Sequence, residues 1–208
     1  MSELPTIYEA DSFLRLLRTD LDGLPKRAQV AFAAWVSERL WPYYVALARR
    51  LGSPGEMVLQ NILDRVWQYI EGDKEISVAE AANFFEALGQ LEKGEEGCCS
   101  EWEEGIDSLG ASWLAVEAVH GNAADCGTRA ASIVLNRIDQ VLTEERLGRQ
   151  YVLAAQEAQD LLGEIDQHPE MERARQRFRN IVDILKSSSL EPAEVRSIRQ
   201  EASRDYAG

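Results

Sequence analysis

Ser53-Pro54-Gly55-Glu56-Met57-Val58-Leu59-Gln60-Asn61-Ile62-Leu63-Asp64-Arg65-Val66-Trp67-Gln68-Tyr69-Ile70-Glu71-Gly72 carries a whole helix between its own start and stop signals. Proline fits the first helical turn, where a missing N–H costs nothing. The serine before it can cap the free N–H groups, and the glutamate three positions on can reach back. Gly72 is placed to end the helix. In between, Val58, Leu59, Ile62, Leu63, Val66, Trp67 and Ile70 recur at three and four, which gathers them on one helix face.

The same grammar extends in both directions. Thr6-Ile7-Tyr8-Glu9 and Ser77-Val78-Ala79-Glu80 repeat the capping spacing, Gly94 is placed as a stop, and five of the six prolines fall at boundaries. Pro42 is the exception, and the second helix, striped by Phe32, Val36, Leu40, Tyr44, Leu47 and Leu51, is expected to bend or be interrupted there. Further stripes are Leu109, Trp113, Val116 and His120; Ala130, Val134, Ile138 and Val141; Leu147, Tyr151, Ala154, Ala158, Leu161 and Ile165; Met171, Ala174, Phe178, Ile181 and Leu185; and Val195, Ile198 and Ala202. Strand-like alternation is absent. The pattern predicts an all-α, single-domain bundle of about eight helices over residues 1–208, with no β-sheet and with helices two and three at its centre. Residues 1–24 read as an N-terminal extension helix and 92–107 as an acidic exposed loop.

Composition sets the outer limits. A chain of 208 residues, 45% hydrophobic and 28% charged, can bury a substantial core without metal or disulfide staples. Its 22 basic against 36 acidic residues give a net charge of −14, which disfavours binding to nucleic acid or to an anionic membrane surface. No run of about 18 apolar residues occurs, and Met1-Ser2-Glu3-Leu4-Pro5 lacks a basic segment followed by an apolar one. With three cysteines in no metal-ligand spacing, a reduced, cytoplasmic protein is expected.

Trp35-Val36-Ser37-Glu38-Arg39-Leu40-Trp41-Pro42-Tyr43-Tyr44, Ile62-Leu63-Asp64-Arg65-Val66-Trp67 and Trp113-Leu114-Ala115-Val116-Glu117-Ala118-Val119-His120 together resemble the YjaG family of bacterial proteins, domain of unknown function 416. The resemblance runs from about residue 25 to the C-terminus, and Glu-Arg-x-x-Pro-x-Tyr is its most specific element. It implies a compact all-helical domain with no assigned activity, and it carries no catalytic residue over.

Two classes of function compete. Residues 56–125 hold three basic and sixteen acidic groups, a net of −13, densest from Glu92 to Asp107. A patch of one sign steers a partner of the other. The favoured expectation is a non-enzymatic protein-binding module of the inhibitor or immunity type, with a basic protein partner held by Glu95, Glu96, Glu101, Glu103 and Glu104 and by Trp102 as an apolar anchor. The alternative is a small-ligand-binding or metal-dependent helical-bundle enzyme with a pocket near Pro42, lined by Glu38, Tyr43, Tyr44, Asp64, Glu117 and His120. Glu38 and Asp64 serve equally well as structural ion pairs with Arg39 or Arg65. Glu117 and His120 share one helix face, as in di-iron bundles, but no second such pair exists, so no metal or cofactor is assigned. The carboxylates around Cys98-Cys99 raise a thiol's pKa, which disfavours a redox role.

Overall fold

The computed structural model describes residues 12–53, 55–72, 74–94, 100–147 and 155–204. Among them lie nine helices and no strand: α1 (Ser12–Asp22), α2 (Lys26–Leu51), α3 (Gly55–Glu71), α4 (Val78–Gly94), α5 (Ser100–His120), α6 (Ala123–Leu147), α7 (Ala155–Asp166), α8 (Pro169–Ser187) and α9 (Pro192–Arg204). The serine caps act as read, but the glutamates of the two boxes pair with arginines and do not reach back to the cap, Glu56 with Arg49 and Glu80 with Arg65. Ser53 Oγ accepts from the Gly55 N–H at 3.2 Å, Ser77 Oγ from the Glu80 N–H at 3.1 Å, and Pro169 opens α8 behind His168. Gly52 and Gly72 end α2 and α3 with φ of 66° and 83°, the left-handed region open to a residue without Cβ. The Thr6–Glu9 box and the Cys98-Cys99 pair lie outside the described residues.

The centre is α2. Every residue from Val30 to Glu38 is buried, as befits a helix enclosed on all sides. Its main partners are α5 and α6; α3, α8 and α9 also pack against it, and α4 backs onto α5. The expectation of helices two and three at the centre is thus half corrected. Ala111, Ser112, Ala115 and Ala118 of α5, and Ala123, Ala124, Gly127, Ala130 and Ala131 of α6, are fully or almost fully buried. Small residues let backbones approach closely, so the tightest packing carries the weakest large-residue signal. A Cβ on Gly105 would overlap Leu47, and one on Gly127 would lie 3.0 Å from Phe32 Cδ1. Between α2 and α5 the Ser37 and Ser112 hydroxyls meet at 2.6 Å. Ser112 donates to the Ser108 carbonyl at 2.8 Å, so its one proton is committed and Ser37 is the donor of the pair.

Four further expectations change. Of the bend or interruption expected at Pro42, the interruption does not occur: α2 continues through it, with buried Leu40, Tyr44 and Leu47 on either side tying both halves to the core. Leu51 and Trp113 are 51% and 40% exposed, Trp113 lying tilted against Phe85 with centroids 4.5 Å apart. The stretch 92–107 is helical at both ends: α4 reaches Gly94 and α5 begins at Ser100, its acidic first turns suiting the positive end of a helix dipole. At the N-terminal end, α1 buries Phe13, Leu14, Leu17 and Leu21 and packs on α6 and α8, so residues 12–22 form part of the core.

Candidate functional site

Two polar assemblies flank α2. The first joins α2, α3 and α9. Glu38, buried, accepts from the Trp67 indole N–H at 3.0 Å and lies 3.4 Å from Arg199 Nε. Arg199 Nη2 reaches Asp64 Oδ1 at 2.5 Å, and Gln60 donates to the same oxygen at 2.9 Å. Glu38 and Asp64 do come together, but on Arg199 of the last helix, where the sequence reading offered Arg39 or Arg65. Arg65 turns away to Glu80 at 2.7 Å and to the Lys74 and Glu75 carbonyls. Two carboxylates held by one guanidinium, a glutamine and an indole are already supplied with donors, which suits a clamp between helices.

The second assembly is an open cleft of about 200 Å³ where α2, α6 and α8 meet. Trp35, Arg39, Leu40 and Tyr43 come from α2, Val134, Arg137 and Ile138 from α6, and Glu170, Ala174, Arg177 and Phe178 from α8. Each set follows three-and-four spacing, so each is one face of its helix. The Arg39 guanidinium lies over the Trp35 ring at 5.0 Å, and the Trp35 indole N–H donates to Glu201. Phe178 meets Trp35 edge-on at 6.1 Å. Glu170 pairs with Arg173.

Arg137 links this cleft to the acidic end of α5. Its guanidinium lies 3.4 Å from Glu103, 3.9 Å from Glu104 and 3.4 Å from Asp107, and it donates to Gln140 at 3.1 Å. Burial pushes the Asp107 carboxyl up to about 6, with Arg137 opposing and Glu103 and Glu104 reinforcing the rise. Glu103, Glu104 and Asp107 thus face an arginine of their own chain. Glu95 and Glu96 lie outside the described residues, as do the side chains of Glu101 and Trp102.

The residues grouped around Pro42 separate. Tyr43 lines the cleft; Tyr44 is buried, its hydroxyl where a Cβ on Gly55 would sit; Glu38 and Asp64 belong to the α9 clamp. Glu117 lies 3.7 Å from Arg129, and His120 is the exposed last residue of α5. Arg137 and Arg177 escaped the sequence reading as site residues. Their faces were legible as Val134-x-x-Arg137-Ile138 and Ala174-x-x-Arg177-Phe178, but which faces meet is a tertiary fact. Cys126 is buried, its thiol pushed up to about 11 mainly by burial, which leaves it inert at neutral pH. Among the described residues no group of three or more His, Cys, Asp or Glu is placed to hold a metal ion, and no helix is long and apolar enough to cross a membrane.

The family described as "Protein of unknown function (DUF416)" matches residues 17–207. A crystal structure of a DUF416 family protein from Shewanella baltica OS155 is similar with a TM-score of 0.68 at 14% identity, over 89% of this chain and 92% of that one. At that identity the likeness speaks for the fold. No curated protein matches the chain.

Proposed function

This chain belongs to the DUF416 family of proteins of unknown function, and on that footing we propose that it is a helical ligand-binding protein whose site is the cleft between α2, α6 and α8. One observation carries the reading: three arginines and three aromatic residues line one open cleft that includes Arg39 of the Glu-Arg-x-x-Pro-x-Tyr element. Concave, largely apolar surface with a few convergent polar groups is what small-molecule sites are made of. At about 200 Å³ the cleft suits a single ring with a short substituent. The test is a panel of neutral, cationic and anionic single-ring compounds, read by melting temperature and calorimetry on the native protein and on Ala174→Leu, which fills the cleft wall. A ligand at about a hundred times its Kd should raise the native melting point by about 5–10 °C and leave the variant unmoved. No response from the native protein, or equal responses from both, would refute the proposal.

A second reading keeps the basic protein partner and the inhibitor or immunity-type role. It draws support from Glu103, whose carboxylate is 49% exposed at the N-terminal end of α5. Glutamine at 95, 96, 101, 103 and 104 should slow association with any basic protein captured from the native source and flatten its salt dependence. Unchanged kinetics would end this reading.

A further inference from the structure

We propose that two copies of this chain pair by exchanging their last helices, the α9 of each docking on the α2 and α3 of the other. The connection before α9 is short and strained. Residues 188–191 alone separate α8 from α9, and among the described residues Leu190 is the one non-glycine with a positive φ, 57°. For a leucine that left-handed backbone is costly, because its Cβ crowds the following carbonyl oxygen. Contacts made when α9 folds back hold it there. Leu190 is buried, and its N–H donates to Ser188 Oγ at 3.0 Å. Glu194 of α9 accepts from Ser188 Oγ and Ser189 Oγ at 2.9 Å each and from the Ser189 N–H at 3.0 Å. An opened connection returns Leu190 to an ordinary φ, and strain of this kind in a short hinge favours exchange. Ser189 and Glu194 are exposed, so water replaces what the opened hinge gives up. Pro192 keeps the opened chain from joining α8 and α9 into one helix, so α9 leaves as a separate arm.

The surface that receives the arm is specific to it. Val195, Ile198 and Ala202 are buried, and the main contacts of α9 are with α2 and α3. Arg199 spans Glu38 and Asp64 with its guanidinium 5.9 Å from the Trp67 ring centroid, and Glu201 accepts from the Trp35 indole N–H. A second copy offers the same two carboxylates, the same indoles and the same apolar seats, so each of these contacts passes from within one chain to between two and none is left unpaired. The largest interfaces of the fold lie among α2, α5 and α6, so the arm comes off before the core opens. Exchange also joins assembly to the cleft, because Trp35 lines it and is then held by Glu201 of the partner subunit.

The experiment measures mass by light scattering over a concentration series, under reducing conditions, on the native chain and on a chain with Gly-Ser-Gly inserted after Ser189. The insertion keeps Leu190 and gives the connection slack to fold back without strain. The native chain should form a dimer, and the insertion should weaken it about tenfold or more, since strain is then relieved at both hinges without exchange. A second arm refolds Arg199→Glu and Asp64→Arg together from urea and counts the species by mass spectrometry of intact complexes. Within either variant like charges meet at the docked arm, and across the two opposite charges meet, so heterodimers should exceed the random share even where one variant folds poorly alone. A native chain that stays monomeric at every concentration, a dimer that the insertion leaves as tight, or variants that assemble at random would each overturn the exchange.

Discussion

At the scale of single residues, Asp107 is where cleft and acidic surface meet. Its carboxyl titrates at about 6 against an ordinary value of 3.8, because burial penalises the charged form more than Arg137 relieves it. The folded state therefore holds a proton that the unfolded state releases between those two values, and stability falls as pH rises from about 4 to about 6. With the side chain a third exposed, the penalty at neutral pH is of order 1 kcal/mol after solvent screening. Asp107→Asn removes it, and Glu103 and Glu104 still face Arg137. The variant is expected to be about 1 kcal/mol more stable at pH 7, with no difference from the native protein at pH 4. Urea unfolding at the two pH values measures this; equal stabilisation at both would mean that the gain is not electrostatic.

At the scale of elements, α9 shows why one chain's helices were readable and their partners were not. Its apolar residues Val195, Ile198 and Ala202 are all buried, as their spacing foretold. What fixes its position is polar: Arg199 joins Glu38 and Asp64, 161 and 135 residues away, and Glu201 accepts from Trp35. Removing the cation leaves Glu38 buried beside an indole donor alone, so Arg199→Met should destabilise by about 2–3 kcal/mol, with most of the loss traced to Glu38 and little to the half-exposed Asp64. In a double-mutant cycle Glu38→Gln should recover part of the loss in the Arg199→Met background; a purely additive pair would show that the contact contributes nothing. Caps and stripes are local, decided within four residues, which is why Ser53, Ser77, Gly72 and the faces of α3 and α8 stand where the sequence puts them. Pairing is decided by shape at a distance. The α2–α5 and α2–α6 contacts rest on glycine, alanine and serine, which leave almost no hydrophobic periodicity. Trp113, the largest residue of its stripe, faces outward on Phe85 for the same reason: the buried face of α5 belongs to its smaller neighbours. The cleft inherits this limit, since Arg137 and Arg177 become site residues only once α6 and α8 are known to flank Trp35.

At the scale of the whole molecule, folding redistributes the charge that the linear sequence concentrates. Seven acids of the segment 56–125 meet arginines from outside it: Glu56 with Arg49, Asp64 with Arg199, Glu103, Glu104 and Asp107 with Arg137, Glu117 with Arg129, and Asp125 with Arg18. These contacts lie between 2.5 and 3.9 Å, so added salt weakens them less than it weakens interactions over longer distances. The residual −14 acts over tens of ångströms, and that long-range repulsion is what salt removes: the screening length falls from about 30 Å at 0.01 M to about 10 Å at 0.1 M. The two effects have opposite signs, and the distances decide between them. Thermal unfolding in sodium chloride should shift upward by a few degrees between 0.01 and 0.3 M and then level off. Chloride is the anion to use, since sulfate would add a surface-exclusion effect of its own. A melting temperature that falls steadily with salt would mean that the arginine pairs, and not the net charge, dominate the electrostatics of the fold. A rise that becomes much steeper when Arg137 alone is replaced by Gln would place much of the repulsion in one spot, among Glu103, Glu104 and Asp107 beside the cleft.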